Sequence, residues 1–369
     1  MSAGEPMSDH SMPAGVATPA GEYPFEFRGS GGEYFRIWIV NLALTILTLG
    51  IYGAWAKVRT RRYFNGSTYV AGHAFDYHAS PLRILLGRAI AVVLLIGYSL
   101  SSVFPIALLV WLLVFVGVLP WLINSSLRFN ARYTSYRNVR FGFTGSYFGA
   151  LKAFVLWPIF GTILPFFWPL AHRARNYFYV DHHTYGGRSF SCSYEGWEIY
   201  KIYLIGWALF IAIAVASVYV GLNIVDLEQL RSDFETAEQN PEELPTGLFG
   251  LFVALYVFAL LTFLVVGTYI RTMAFNLAID NTQIDGKHWL DAKLNPFTMV
   301  WITLSNLVLI FVTFGIFYPW ARVRVARYTS SNLTLYASGG LDNYMTEIAQ
   351  EQSAIGEEVA GFFDVDIGL

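Results

Sequence analysis

The chain has 369 residues, of which 55% are hydrophobic and only 14% charged, with a formal net charge of −2. A soluble domain carries roughly a quarter charged residues, so these few cannot coat a globule of this size, and the chain belongs in a membrane. The small net charge excludes a general attraction to nucleic acid, and a single cysteine, Cys192, excludes an internal disulfide and leaves no cysteine-based metal cluster.

Residues 1–22 are rich in Ser, Pro, Ala and Gly and lack the apolar core of a signal peptide, so they are expected to be a disordered tail. Phe25, Phe27 and Gly29, followed by Tyr34 and Phe35, suggest a short strand and turn before an apolar segment. That segment ends in a basic, aromatic stretch at 48–63 that holds Trp55, Arg59, Arg61 and Tyr63. An aromatic, glycine-containing stretch at 69–77 then reads as a small extramembrane hairpin. Blocks at 84–103 and 104–123 follow, each long enough to cross a hydrocarbon core at helical rise.

The same order then recurs. Phe141, Phe143, Gly145, Tyr147 and Phe148 lead to an apolar segment and to Trp168, Arg173, Arg175 and Tyr177, with one extra residue between Trp and Tyr. Two further spans, 202–222 and 249–270, flank an acidic loop at 223–247 whose one basic residue is Arg231. A third copy carries Trp320, Arg322, Arg324 and Tyr328 and then gives way to an acidic tail. The chain therefore divides into the tail 1–22, membrane repeat units 23–137 and 138–281, a partial unit 282–341 and the acidic tail 342–369. The predicted architecture is an all-α polytopic membrane protein with repeated helical units and small extramembrane β-hairpins.

The run from Phe25 to Phe35, continued by Leu47, Thr48, Leu49, Gly50, Ile51, Tyr52, Gly53, Ala54, Trp55, Ala56, Lys57, Val58 and Arg59, resembles the YjgN-like family of bacterial inner-membrane proteins. The resemblance covers roughly residues 23–344. It implies a location, the bacterial cytoplasmic membrane, and a fold; it implies no chemistry, because that family has no established molecular function.

Basic clusters at 57–62, 128–140, 173–175 and 322–327 stay cytoplasmic by the positive-inside rule. If the segments at 37–56, 153–171 and 298–320 all crossed, the chain would have seven spans and the cluster at Arg173 would lie outside. If each enters and leaves on one side, four spans satisfy every cluster and the acidic loop falls outside. Gly50, Gly161 and Gly315, with prolines in the second copy, are where such helices could turn back. Length argues the other way, because about 20 apolar residues also suit one tilted crossing.

The candidate lipid or ligand site is the repeated basic and aromatic stretch: Trp55, Arg59, Arg61 and Tyr63; Trp168, Arg173, Arg175 and Tyr177; and Trp320, Arg322, Arg324 and Tyr328. Guanidinium groups pair with phosphate oxygens, although the same residue types collect at membrane borders as plain anchors. Arg88 is a lone charge within its apolar block, and Asn41 and Asn306 each precede the repeated Trp by the same distance. Helix–helix hydrogen bonding is the expected role of both asparagines. His73, Asp76 and His78, and the adjacent His182 and His183, match no metal-ligand motif, so no metal and no cofactor are expected. Signatures of hydrolases, P-loop enzymes and zinc proteases are absent, which argues against an enzyme. The functional expectation is a protein that binds or organises anionic membrane lipid, with a transporter or channel for a small neutral or amphiphilic solute as the alternative.

Overall fold

The computed structural model describes residues 21–101, 104–224, 227–239, 246–348 and 350. The expected tail therefore lies outside the described residues up to position 20, while Gly21 and Glu22 already belong to the first strand.

The chain alternates a strand, a pair of helices and a strand five times. The first unit is β1 (Gly21–Phe27), α1 (Gly31–Leu47), α2 (Gly53–Ser67) and β2 (Thr68–Val70). The second is β3 (His73–Tyr77), α3 (Pro81–Ser101), α4 (Pro105–Tyr133) and β4 (Thr134–Tyr136). In the third, β5 (Val139–Phe143) leads to α5 (Tyr147–Leu151), a π-helical stretch at Lys152–Leu156, α6 (Trp157–Ile163), α7 (Trp168–Asp181) and β6 (His183–Tyr185). The fourth comprises β7 (Arg188–Cys192), α8 (Gly196–Ile224), α9 (Leu227–Gln239), α10 (Thr246–Asp280) and β8 (Thr282–Ile284). The fifth runs through β9 (His288–Ala292), α11 (Pro296–Val312), α12 (Tyr318–Ser330) and β10 (Leu333–Ala337). A short helix, α13, follows at 341–348.

The strands close into one antiparallel barrel of ten, in the order β1-β10-β9-β8-β7-β6-β5-β4-β3-β2. This overturns the expected all-α architecture with separate small hairpins. The hairpin at 69–77 is legible by itself, but strands of three to five residues carry too little periodicity to announce their neighbours. Closure depends on pairings between distant segments, above all β1 with β10, where Tyr23 faces Leu335. It leaves no strand edge unpaired. Ala71–Gly72, Arg137–Asn138 and Gly186–Gly187 are two-residue turns with positive φ at both positions, the geometry whose twist matches antiparallel neighbours.

Alternate residues point inward, as Tyr23, Phe25 and Phe27 do along β1. The lumen is packed with rings: Phe75 lies 4.9 Å from Tyr136 and Phe141 lies 4.9 Å from Tyr185, centroid to centroid. The hydroxyls inside are satisfied by backbone, with Tyr136 donating to the Val70 carbonyl at 2.8 Å and Tyr185 to the Tyr136 carbonyl at 2.9 Å. Helix α13 presents Leu341, Tyr344, Met345 and Ile348, all buried, to the same cluster. It stoppers the turn end of the barrel.

Four helices are long and apolar enough to cross a membrane: α3, α4, Gly196–Tyr219 of α8 and Leu248–Asp280 of α10. They form the helix pairs of units two and four. The pairs of units one, three and five are shorter and fold back on themselves. In the first and fifth the reversal is made at Leu49–Gly50 and Phe314–Gly315, all at positive φ. In the third it is made at Leu164 and the 3-10 turn Pro165–Phe167. Every helix pair begins and ends on the barrel, so the barrel and the basic ends of α2, α7 and α12 share one side. Helix α9, in the acidic loop, sits beyond the far ends of α8 and α10. The length of the short hairpins follows from helical rise. Arg61 lies nine residues past Tyr52, roughly 14 Å along the helix, which is about half of a hydrocarbon core. The tips are apolar and open, with Leu49 95% and Phe314 96% exposed.

The seam between the first and last units is closely packed. Trp320 lies 5.1 Å from Phe35, ring to ring, and its indole fills the space an added Cβ on Gly31 would need, whereas Gly32 has nothing within 4 Å of such a Cβ. Gly31→Ala is therefore expected to destabilise the fold by roughly 1–3 kcal/mol. Gly32→Ala is expected to be neutral or slightly stabilising. Thermal unfolding of the two variants in detergent compares them directly.

Candidate functional site

The three repeated stretches divide by role once their contacts are traced. The tyrosines hold the elbows where a strand turns into a helix. Tyr63 accepts from the Ser30 amide and donates to its carbonyl, both at 2.8 Å. Tyr328 does the same at Asn295, at 2.8 and 3.2 Å, and Tyr177 at Tyr194, at 2.9 and 2.6 Å. Tyr63 and Tyr328 secure their own unit, whereas Tyr177 reaches the next one. The extra residue in the middle copy explains the difference. Tyr63 and Tyr328 stand five residues before β2 and β10, and the residue at that distance before β6 is Phe178, which packs on Gly145 as Tyr63 packs on Gly29.

The arginines are largely engaged as well. Arg59 donates to the Tyr52 hydroxyl at 3.0 Å and to Asn41 Oδ1 at 3.5 Å. Arg324 donates to Asn306 Oδ1 at 2.6 Å and to Ser305 at 3.2 Å. Arg173 donates at 3.0 Å to both the Tyr177 hydroxyl and the Tyr194 carbonyl. The half-buried His172 meets the Tyr203 hydroxyl at 3.1 Å, and burial first, with the nearby Arg175 charge second, lowers its pKa to about 4. Trp55 stacks on Tyr52, Trp168 packs against the cluster around Ile199, and Trp320 fills the seam. Of the histidines, His73 is exposed, His78 meets Ser135 at 3.1 Å, and His182 and His183 meet the carbonyls of Phe178 and Tyr179.

Two of the twelve nominated residues, Arg61 and Arg322, share a cavity of about 440 Å³. It opens between the first helix pair, α3 and α12, and its walls add Lys57, Arg88, Tyr34, Trp38, Asn41 and Tyr318. Among the described residues none of its four cations takes part in an ion pair. Arg61 instead donates to Tyr77 and Asn130, and Arg322 to the Tyr318 hydroxyl while lying over the Phe64 ring. The Lys57 amine is pushed below its ordinary value, first by burial and then by the charges of Arg61 and Arg88. Arg88 is the eighth residue of α3 and sits inside an apolar block, where a charge costs about 3 kcal/mol. It reaches back to α2, where the missing side chain of Gly53 makes room for its guanidinium.

Asn41 sharpens the picture by comparison with its repeat partner. Asn306 donates to the Ala321 carbonyl at 3.3 Å. Ala56 occupies the place of Ala321, twelve residues before the following strand, yet Asn41 makes no such bond: its Nδ2 is buried and unpartnered. Sequence reasoning had singled out Arg88 and Asn41 but left them apart, because the cavity joins three units. Lys57 had a signal too, since it and Arg322 stand eleven residues before β2 and β10.

The chain is 32% identical over 126 residues to the inner membrane protein YjgN of Escherichia coli O157:H7 and 33% identical over 126 residues to that of Escherichia coli strain K12. In each case the match covers 34% of this chain and 32% of the relative. YjgN of Salmonella typhimurium is 32% identical over 130 residues, 32% of this chain and 30% of the relative. The match thus spans about a third of the length of these curated relatives. No solved structure matches the chain. With four apolar helices able to cross a bilayer and relatives named for the inner membrane, the protein is an integral inner-membrane protein. The family model described as a bacterial protein of unknown function, DUF898, matches residues 22–362, and the chain belongs to that family.

Proposed function

We propose that the protein binds and organises anionic lipid in the leaflet on the barrel side of the inner membrane. The observation that carries this reading is the convergence of Lys57, Arg61, Arg88 and Arg322 on one cavity with no carboxylate paired to any of them among the described residues. Guanidinium groups at the headgroup level pair with phosphate oxygens. The short hairpins, with apolar tips, bring those charges to the headgroups from within the leaflet. The alternative of solute passage gains nothing from the barrel, whose lumen is filled by aromatic side chains and stoppered by α13.

The lipid that accompanies the protein through mild detergent extraction tests the reading. Anionic phospholipid is expected to be enriched over its share in the source membrane, and the enrichment is expected to fall as salt shortens the reach of exposed charges. Co-purified lipid with the composition of the membrane would remove the proposal.

A further inference from the structure

The basic end is not uniform, because the cavity at the junction of units one, two and five holds an unsatisfied Asn41 whose repeat counterpart, Asn306, is satisfied. Lys57 and Arg322 occupy equivalent places in units one and five, and both line this cavity. Asn306 is bonded through both ends of its amide, while Asn41, 5% exposed and lining the cavity, has an unpartnered Nδ2. A buried amide N–H without an acceptor is costly, and four cations without a counter-charge are costly at the edge of hydrocarbon. One species relieves both: an anion rich in acceptor oxygens.

We infer that this cavity is a stoichiometric site for one phosphate-bearing lipid headgroup, held by Lys57, Arg88 and Arg322 with the Asn41 amide as a further donor. The inference rests on the proposed lipid reading and narrows it from a basic border to a single seat. Phosphate chemistry is shared by a lipid headgroup and free inorganic phosphate, and the surroundings favour the lipid. Arg88 lies inside the apolar run of α3, and Leu42, an exposed wall residue, continues the cavity along α1 toward the hairpin tip. A headgroup tethered to acyl chains reaches that depth without leaving the membrane.

Native mass spectrometry of the full chain, delipidated in detergent and titrated with dioleoyl phosphatidylglycerol, tests the seat, with dioleoyl phosphatidylcholine as the zwitterionic reference. One phosphatidylglycerol per chain is expected to persist after weaker adducts are stripped. Arg88→Gln is expected to weaken it at least about tenfold, the loss of one charge-assisted contact. Gly53→Ala removes no charge but takes the space of the Arg88 guanidinium, so it is expected to weaken the same adduct. Arg322→Gln, at an exposed position, serves where either variant fails to fold. Arg231→Gln, on α9, is expected to change nothing. Equal retention of the two lipids, or a phosphatidylglycerol adduct unchanged in the cavity variants, overturns the inference. Displacement of the adduct by inorganic phosphate at similar concentration overturns the lipid source and assigns the seat to a free anion. If anionic lipid stays enriched after extraction while the cavity variants leave the adduct unchanged, the single seat fails and the broader lipid reading stands; if enrichment is also absent, both fail.

Discussion

A membrane-impermeant thiol reagent added to intact cells is expected to label Ser232→Cys and to leave His73→Cys, Ser189→Cys and Ser331→Cys unlabelled until the membrane is opened. The four positions are exposed. Ser232 lies on α9 beyond the far ends of α8 and α10, whereas the other three lie on β3, on β7 and just after α12. Cys192 is buried, so the unsubstituted protein is expected to be silent and to serve as the blank. The difference is close to all-or-none because it follows from closure of the barrel. Strand β7 pairs with both β6 and β8, and paired strands cannot lie on opposite faces of a bilayer. The positive-inside rule then assigns the barrel to the cytoplasm, since Lys57, Arg61, Arg173 and Arg324 cluster near it. Labelling of Ser189→Cys in intact cells would mean that the segment between α5 and α7 crosses, and the closed barrel would be untenable.

The spans, the repeated helix pairs and the basic border are legible in the sequence because each depends on local composition: uncharged blocks of membrane length, and Trp, Arg and Tyr at recurrent spacing. The elbow role of the tyrosines is half legible. The one-residue insertion before Tyr177 is visible, but its consequence, a hydroxyl turned from its own unit toward Tyr194, appears only when the helix is counted back from its strand. Barrel closure is not legible, since β2 and β4 have three residues each and each pairs on one side with a strand beyond the whole helix pair of its unit, β1 and β3. Units two and four also hide their kinship with the others, because their helices are lengthened into spans, although the end of α4 keeps a basic aromatic stretch of Arg128, Phe129, Arg132 and Tyr133. The cavity is composed across three units, so Arg61, Arg322, the lone Arg88 and Asn41 are each legible in the sequence, but their meeting is not. A last signal was present and masked by charge. Leu341, Tyr344, Met345 and Ile348 recur at helical spacing within a segment whose acidity suggested a solvated tail.

Ile348→Asp is expected to unseat α13 at a cost of roughly 4 kcal/mol or more, the sum of a lost buried aliphatic side chain and a carboxylate forced against apolar neighbours. Ile348 is fully buried against Val139 and Gly186 at the turns of the barrel. Its neighbour Glu347 is exposed, so Glu347→Gln is the matched control and is expected to change little. Hydrogen exchange over 341–348 and over the turns at 71–72 and 137–138 reads the result, and unchanged protection in Ile348→Asp would refute the stopper. A second handle on the same contact is pH. His288 is buried, accepts the Ser338 amide at Nδ1 at 3.2 Å, and meets the Tyr344 ring edge-on with centroids 4.1 Å apart. Burial is the main cause that lowers its pKa beneath the ordinary 6.5. The seated form therefore binds the proton less readily than the unseated one, so stability is full above 6.5 and is lost as pH falls from there toward the lowered value. A protonated Nδ1 can no longer accept from Ser338, which places the loss at the entry to α13. Exchange over 341–348 is expected to accelerate on acidification in the native protein and to lose that dependence in His288→Asn, whose amide oxygen can accept at any pH.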